Sequence, residues 1–303
     1  MTETSKIETR CGFIAIVGRP NVGKSTLLNT ILGKKISITT SRPQTTRHRI
    51  LGIKTFGQSQ CVFIDTPGLH QHYHNALNRA MNQAVLNVIP EADKVLFLVE
   101  AEMFTPEDEW VAEHLLASQK DFLIGVNKID QLNNKNQLLP FIHQLSQRFA
   151  NVPIVPFSAK QGDNVTYLLE LLAAELPVDH FYFGSHQLTD RSERFLAAEL
   201  IREKIMRFSG QEIPYSVAVM IDEFTRDGKL LKISATIFVE RDSQKAIVIG
   251  RNGERLKQVG STARQNMERL FNSKVYLNLW VKVKTGWSDD TRALKSLGYD
   301  EQD

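Results

Sequence analysis

The chain has 303 residues, a net charge of +3 and 42% hydrophobic residues, so it is long enough for about two packed domains. No apolar run approaches the roughly 18–20 residues of a membrane span, and the first residues lack the apolar stretch of a signal peptide. The two cysteines, Cys11 and Cys61, lie far apart without metal-ligand spacing, which favours buried, reduced thiols in a cytosolic protein.

Up to about residue 176, short apolar runs alternate with helical segments, which predicts an α/β fold with a mostly parallel, doubly wound sheet. Right-handed crossovers place the loops that follow the strands along one edge, where ligands bind. The predicted strands are 13–17, 61–65, 94–99, 121–126 and 153–157, and the predicted helices are 76–88, 106–118, 134–149 and 163–175.

The first strand leads into GRPNVGKS at 18–25, the pattern of a phosphate-binding loop. Gly18 and Gly23 let the backbone curl so that consecutive N–H groups face the phosphate oxygens. Lys24 can reach the β- and γ-phosphates, and the Ser25 hydroxyl can bind Mg²⁺. A glycine-rich turn is the weaker interpretation, because a strand precedes the loop and a helix follows it. The expected nucleotide contacts here are Gly18, Asn21, Gly23, Lys24, Ser25 and Thr26.

Two segments that follow are expected to sense the γ-phosphate. The polar segment 41–47 contains Thr45 and Thr46, either of which can bind Mg²⁺; spacing does not choose between them, and we favour Thr46. Asp65 ends an apolar strand and can hold Mg²⁺ through water. Gly68, three residues later, lets its N–H approach the γ-phosphate without a Cβ clash.

Leu69 stands where GTPases that orient the attacking water with glutamine carry that residue, so we expect slow intrinsic hydrolysis. Asn21 is one place where a monovalent cation such as K⁺ could be bound to add positive charge. His70, His72 and His74 alternate just beyond; a flexible loop is a better interpretation of them than a metal site.

The segment 127–130, Asn-Lys-Ile-Asp, predicts specificity for guanine. An ionised Asp130 can accept from both N1–H and N2–H₂ of guanine, whereas adenine offers no matching pair. The Lys128 stem can cover the base, and Asn127 can tie this loop to the phosphate loop. A helix start with a capping aspartate is less favoured downstream of a phosphate loop. Three residues after the last strand can close over the base: Ser158, Ala159 and Lys160.

The residues from about 177 to 185 interrupt this pattern and suggest a linker. A small α+β domain follows, with the order α-β-β-α-α-β, in which Asp190 is expected to cap the first helix and Asp227-Gly228 to form a hairpin turn. Its predicted elements are 191–208, 215–224, 230–240, 243–249, 254–271 and 274–284.

The turn GRNG at 250–253 lies in the most basic stretch, since residues 241–284 contain 10 basic and 3 acidic residues. A G-x-x-G turn with Arg251 can follow a nucleic-acid backbone beside a groove about four bases long. In this order of elements it indicates a type II KH domain and RNA binding rather than an ordinary helix–turn–helix connection. The expected RNA contacts are Arg241, Lys245, Gly250, Arg251, Asn252, Gly253, Arg255 and Lys257.

Over nearly its full length the chain resembles the Era GTPases of bacteria. The similar segments are GRPNVGKS at 18–25, QTTRHRI at 44–50, DTPG at 65–68, NKID at 127–130, SAK at 158–160, TDRSERF at 189–195, EIPYSV at 212–217 and the GRNG turn. The last three are typical of that family rather than of GTPases generally. The resemblance implies an α/β P-loop GTPase domain at 1–180, a linker at 181–190, a smaller α+β type II KH domain at 191–285 and a tail at 286–303.

The resemblance also implies a switch between GTP and GDP that binds the 3′ end of 16S rRNA and acts in late assembly of the 30S ribosomal subunit. Lys24, Thr46, Asp65 and Gly68 form the implied catalytic set, with Mg²⁺ held by Ser25, Thr46 and Asp65. It implies peripheral association with the inner membrane, for which the sequence shows no amphipathic anchor; we expect a cytoplasmic monomer. Two alternatives stay open: an RNA chaperone with a structural nucleotide site, and a membrane-associated cell-cycle signalling GTPase with secondary RNA affinity.

Overall fold

The structure is a computed structural model that describes residues 8–42, 45–69, 76–209 and 217–287. Backbone contacts divide the chain into two compact units. The first contains the described parts of 1–36, 48–72 and 81–190, and the second those of 37–47, 73–80 and 191–303. Each unit has its own hydrophobic core.

The first unit is built on a six-stranded sheet. Its strands are β1 (Arg10–Val17), β2 (Ile50–Phe56), β3 (Ser59–Asp65), β4 (Lys94–Glu100), β5 (Phe122–Asn127) and β6 (Ile154–Pro156). Its helices are α1 (Lys24–Leu32), α2 (Ala76–Glu91, in this unit from Met81 on), α3 (Pro106–Ser118), α4 (Leu138–Arg148) and α5 (Val165–Ala174). The strand order is β2-β3-β1-β4-β5-β6, and every pair except β2–β3 is parallel. The predicted mostly parallel α/β sheet is confirmed.

Strand β2 is the element that the sequence pattern missed. It pairs antiparallel with β3 at the edge of the described sheet, and the two strands are joined by a turn in which Gly57 has a φ of 51°. Only Ile50, Gly52 and Ile53 are buried in it. An edge strand with so few buried positions lacks the continuous apolar run that marks the central parallel strands.

The second unit has the predicted order of elements. These are α6 (Glu193–Phe208), β7 (Ala218–Asp227), β8 (Leu230–Val239), α7 (Asp242–Ile249), α8 (Glu254–Phe271) and β9 (Lys274–Val283). The sheet order is β7-β8-β9, with β7–β8 antiparallel and β8–β9 parallel. Alternate residues of β8, such as Ile233 and Ile237, are fully buried with Val259 and Met267 of α8. The expected small α+β domain is confirmed.

The predicted cap of α6 is wrong. Ser192 caps this helix, because its hydroxyl accepts from the Phe195 N–H at 3.2 Å. Asp190 instead accepts from the Leu51 N–H of β2 at 3.2 Å. The segment before α6 runs along the edge of β2, where the Ile53 N–H also donates to the Leu188 carbonyl at 2.9 Å, and local sequence patterns do not reveal this pairing.

Both cysteines are buried and form no disulfide. Burial raises the pKa of the Cys61 thiol to about 12, so this group stays protonated at neutral pH. None of the helices in the described ranges combines the length and apolar character needed to cross a membrane.

Candidate functional site

The loop between β1 and α1 has the backbone of a phosphate-binding loop, with positive φ at Gly18 (150°), Asn21 (63°) and Gly23 (105°). The ammonium of Lys24 is buried and donates to the carbonyl oxygens of Gly18 at 2.8 Å and Arg19 at 2.9 Å. Burial lowers the pKa of Lys24 to about 8, partly opposed by the charge of Asp65. Bound phosphate would favour the charged form of this lysine.

Ser25 and Asp65 place two side-chain oxygen atoms next to each other at this loop. The Ser25 hydroxyl donates to Asp65 Oδ2 at 2.7 Å, and the Asp65 side chain is fully buried. Thr66 holds the end of β3 in place by donating to the Ile16 carbonyl at 2.8 Å. Hydroxyl and carboxylate oxygens are the ligands that Mg²⁺ prefers, so this pair fits the ion that accompanies nucleotide phosphates. The third predicted ligand, Thr46, is also buried and belongs by its backbone contacts to the second unit, so its binding of Mg²⁺ stays a prediction.

Gly68 packs against the phosphate loop. A Cβ atom on this residue would lie 2.8–2.9 Å from ring and backbone atoms of Pro20, a contact too short to accept. The next side chain, Leu69, is only 1% exposed and belongs to the core of the first unit. Its burial supports the view that it does not orient water.

The His70, His72 and His74 series lies outside the described residues. Within the described ranges, no cluster of three or more His, Cys, Asp or Glu side chains is suited to a metal ion.

Asn127 joins three segments of the nucleotide site. Its Nδ2 donates to the Val22 carbonyl of the phosphate loop at 2.7 Å, and its Oδ1 accepts from the Ala159 N–H at 2.9 Å. The Ala159 carbonyl in turn accepts from the Thr30 hydroxyl of α1 at 2.6 Å. The expected tie between the 127–130 loop and the phosphate loop is therefore present.

Asp130 is oriented by the loop that follows β6. The buried Ser158 hydroxyl donates to Asp130 Oδ1 at 2.6 Å, which fixes the carboxylate that would pair with guanine. Lys160, the third residue expected in this loop, has an exposed side chain.

Two acidic residues that the sequence analysis did not select hold the site together. Glu100 Oε2 accepts from Arg19 at 2.9 Å and from Lys128 at 2.8 Å, so it links the phosphate loop to the base-binding loop. Asp108 accepts from Arg19 Nε at 3.1 Å. Glu100 ends β4 at the edge where the other site loops lie, and this position could have identified it.

The predicted switch segment forms its described contacts in the second unit. The buried Arg202 of α6 donates to the Thr45 carbonyl, and Glu203 accepts from the Thr39 N–H at 3.3 Å. The Thr45 hydroxyl lies 2.6 Å from that of Thr40, so it takes part in the local turn. The backbone is thus held against α6 at Thr39 and at Thr45.

The GRNG turn has positive φ at Gly250 (75°), Asn252 (50°) and Gly253 (77°). A Cβ on Gly250 would lie 2.7 Å from Cβ of Arg255, whereas the space around Gly253 is open and glycine is favoured there by its φ. Arg251 and Asn252 are exposed, as a backbone-binding turn requires. Arg255, expected at a phosphate, directs one guanidinium nitrogen to the Ile247 carbonyl at the end of α7.

A groove of about 440 Å³ lies between α8 and β9 beside this turn. Of the expected RNA contacts, Gly253 and Lys257 line it. The sequence analysis missed the other residues that line it, although the small pair Gly260-Ser261 within a helix is a signal for close approach of another chain. These residues are Leu256, Gly260, Ser261, Arg264, Leu277, Asn278 and Leu279.

Comparison with known proteins agrees with both halves of this description. A family described as 50S ribosome-binding GTPase matches residues 13–128, and the KH domain family matches residues 212–288. A GTPase Era protein of Ectopseudomonas mendocina is 54% identical over 96% of this chain and 97% of its own. One of Pseudomonas fluorescens is 53% identical over 98% of this chain and 99% of its own.

Solved structures of relatives match nearly the whole chain. A single-residue variant of Aquifex aeolicus Era bound to GDP·AlF₄⁻ has a TM-score of 0.93 and 37% identity, over 96% of this chain and 99% of its own. An Era complex with MgGDPNP and nucleotides 1506–1542 of 16S ribosomal RNA has the same scores and coverage. This protein is therefore a member of the GTPase Era family, with a GTP-hydrolysing domain followed by a KH domain.

Proposed function

We propose that this GTPase is a molecular switch that binds 16S rRNA near its 3′ end and assists maturation of the 30S subunit. The observation that carries the proposal is the presence, in one chain, of a phosphate-binding loop joined by Asn127 to the loop of Asp130, and of a GRNG turn beside a groove. The Era relative bound to nucleotides 1506–1542 of 16S ribosomal RNA supports the choice of RNA.

In the proposed nucleotide cycle, the loop N–H groups and the Lys24 ammonium stabilise negative charge on the transferred phosphoryl group. Ser25 and Asp65, with Thr46 supplied by the switch segment, would hold Mg²⁺, which supplies charge neutralisation at the phosphates. Asp130, fixed by Ser158, selects guanine. The burial of Leu69 leaves the water to be placed by backbone groups or a partner, so intrinsic hydrolysis is slow.

We propose K⁺ as a further cofactor near Asn21, an exposed residue of the phosphate loop. GTP turnover by the intact protein in potassium and sodium buffers of equal ionic strength tests this, and equal rates would contradict a role for K⁺.

We further propose a cytoplasmic monomer with its GTPase domain at 1–180, linker at 181–190, KH domain at 191–285 and tail at 286–303. Peripheral membrane association rests on the family resemblance alone.

Crosslinking the protein to RNA in cells and sequencing the bound fragments tests the proposed RNA target. We expect reads concentrated at the 3′ end of 16S rRNA for the wild type and their loss for Gly253→Asp, which puts a negative charge where phosphate must approach. Gly228→Asp is the matched control: this glycine also has positive φ (58° against 77°) and open space around its Cβ position, but lies in the β7–β8 hairpin. Equal crosslinking by Gly253→Asp, or reads spread over unrelated RNAs, would contradict the proposal.

A further inference from the structure

One face of the second unit's sheet packs on its core, and the opposite face carries exposed large side chains. Met220, Tyr276 and Trp280 are 38%, 56% and 49% exposed. The register places Met220, Thr236 and Trp280 in one row across the three strands. Exposed apolar side chains that cluster on one surface mark an interaction site more often than singly scattered ones do.

The charge on this outer face changes from one edge of the sheet to the other. Residues 274–284 contain three lysines, Lys274, Lys282 and Lys284, and no acidic residue. The β7 edge carries acidic side chains, and there Asp227 pairs with Lys232 of β8 at 2.8 Å. Positive charge is therefore concentrated along β9, which is suited to a polyanion.

Along β9 the outward residues alternate between cations and aromatic rings. Because side chains alternate across a strand, Lys274, Tyr276, Asn278, Trp280 and Lys282 share the outer face. The two rings are four residues apart, or about 13 Å along the strand. Exposed rings interleaved with cations are the combination with which proteins bind single-stranded nucleic acid, since bases stack on the rings and phosphates meet the cations.

The outer face is continuous with the groove. Leu277, Asn278 and Leu279 of β9 line the groove, and β9 pairs with β8 alone in the described sheet, so it forms the edge between the two surfaces. A strand of RNA that left the groove across this edge would meet Tyr276 and Trp280. A second copy of the chain is disfavoured, because pairing two β9 edges would oppose lysine to lysine.

We propose that the outer face of β9 is a second contact surface for single-stranded RNA, on which bases stack on Tyr276 and Trp280 and phosphates contact Lys274 and Lys282. This surface extends the RNA site of the proposed function and rests on it. The surface binds nucleotides that extend beyond the groove, so it increases the affinity for long RNA and not for short RNA.

Affinity of the full chain for two RNAs taken from the 16S 3′ end tests this surface. One has about four nucleotides, enough to fill a KH groove, and the other is three times as long. We expect Trp280→Thr and Tyr276→Thr to bind the short RNA like the wild type and the long RNA about tenfold more weakly, from the loss of one stacked base.

The salt dependence of binding tests the cations. Lys282→Gln should reduce the slope of log affinity against log salt by about 0.7 for the long RNA. Tyr167→Thr, an exposed tyrosine of α5, is the matched control and should change neither affinity.

Threonine is a good strand former, and unchanged binding of the short RNA shows that the variants fold. Equal affinity of the wild type and both variants for the long RNA would overturn the proposal while leaving the groove intact. A Trp280→Thr effect on sedimentation rather than on RNA affinity would assign the face to a second copy and overturn the proposal as well. Failure of the wild type to bind either RNA would contradict the proposed function itself. This result differs from the two outcomes above, which contradict only the second contact surface.

Discussion

At the scale of single residues, glycine is required at position 23 both by its positive φ and by the close approach of a neighbouring side chain. A Cβ atom here would overlap the side-chain nitrogen of Asn127, the group that donates to the Val22 carbonyl. We predict that Gly23→Ala weakens GTP and GDP binding alike by about tenfold, because the base-binding and phosphate loops lose a hydrogen bond and their register. Calorimetric titration with each nucleotide measures this.

The control is Gly33→Asn at the end of α1, where φ is also positive (67°) and nothing lies within 4 Å of the Cβ position. It should bind both nucleotides like the wild type. A Gly23→Ala protein that binds GDP normally would show that the Asn127 tie is not needed for nucleotide binding.

Lys24 predicts a pH dependence of binding. Its pKa is lowered by burial from 10.5 to about 8, so the folded protein without phosphate disfavours the charged form and gains stability as pH rises from about 8 to 10.5. Phosphate favours the charged form and raises this pKa, so binding takes up a proton above pH 8. GTP affinity should fall about fivefold between pH 8 and pH 9, with proton uptake visible in buffers of different ionisation enthalpy.

The same titration of Lys24→Met separates the contribution of the lysine to the pH dependence from that of the guanine base. Ionisation of the base affects both proteins equally. This variant should bind more weakly at every pH and lack the extra fall between pH 8 and pH 9. An identical pH profile for both proteins would contradict the assignment.

At the scale of elements, α6 is a helix whose buried face is charged. Arg202, 2% exposed, donates to both oxygens of Glu199 at 2.7 and 2.6 Å, and Glu203 pairs with Lys204 at 2.7 Å. Removing one member of a buried pair leaves a charge without its main partner, which costs more than removing both. These ion pairs, rather than apolar packing alone, seat the segment 37–47 on the helix.

We predict that Arg202→Met lowers the free energy of unfolding by about 3 kcal/mol, and that the double variant Arg202→Met with Glu199→Met recovers most of this loss. Denaturant unfolding of the three proteins measures it. Arg207→Met, a half-exposed arginine that contacts the Thr39 carbonyl at 3.1 Å, is the control and should cost less than about 1 kcal/mol. Equal destabilisation by the single and double variants would show that the pair is not the source of the effect.

At this scale, the sequence predicted the elements whose signals lie within a short stretch of the chain, and it missed the features that depend on distant residues. The order of the second unit and the β7–β8 hairpin were predictable, because periodicity and the Asp227-Gly228 turn are local patterns. The buried charges of α6 were not, since charged residues suggest a solvated face until their partners are known. The phosphate loop was found from its residue spacing between a predicted strand and a predicted helix, which are local signals. Glu100 was missed because the two cations it joins come from different loops.

At the scale of the whole molecule, the predicted switch segment belongs to the unit that contains the KH domain. Residues 37–47 belong to the second unit, although the chain on either side, up to Ile36 and from His48, belongs to the first. Arg202 and Glu203 of α6 hold the backbone of this segment at Thr45 and Thr39. We propose that GTP and RNA each favour one arrangement of this segment, in which case each ligand changes the affinity for the other by the same factor.

We propose that the bound guanine nucleotide controls the affinity of the protein for RNA. The most direct measurement is the affinity of the intact protein for the 3′ segment of 16S rRNA, titrated with GDP and with a non-hydrolysable GTP analogue at one salt concentration. We predict that affinity with the GTP analogue exceeds that with GDP by about tenfold, within the range of typical coupling free energies. Identical affinities in the two nucleotide states would contradict the account of a switch.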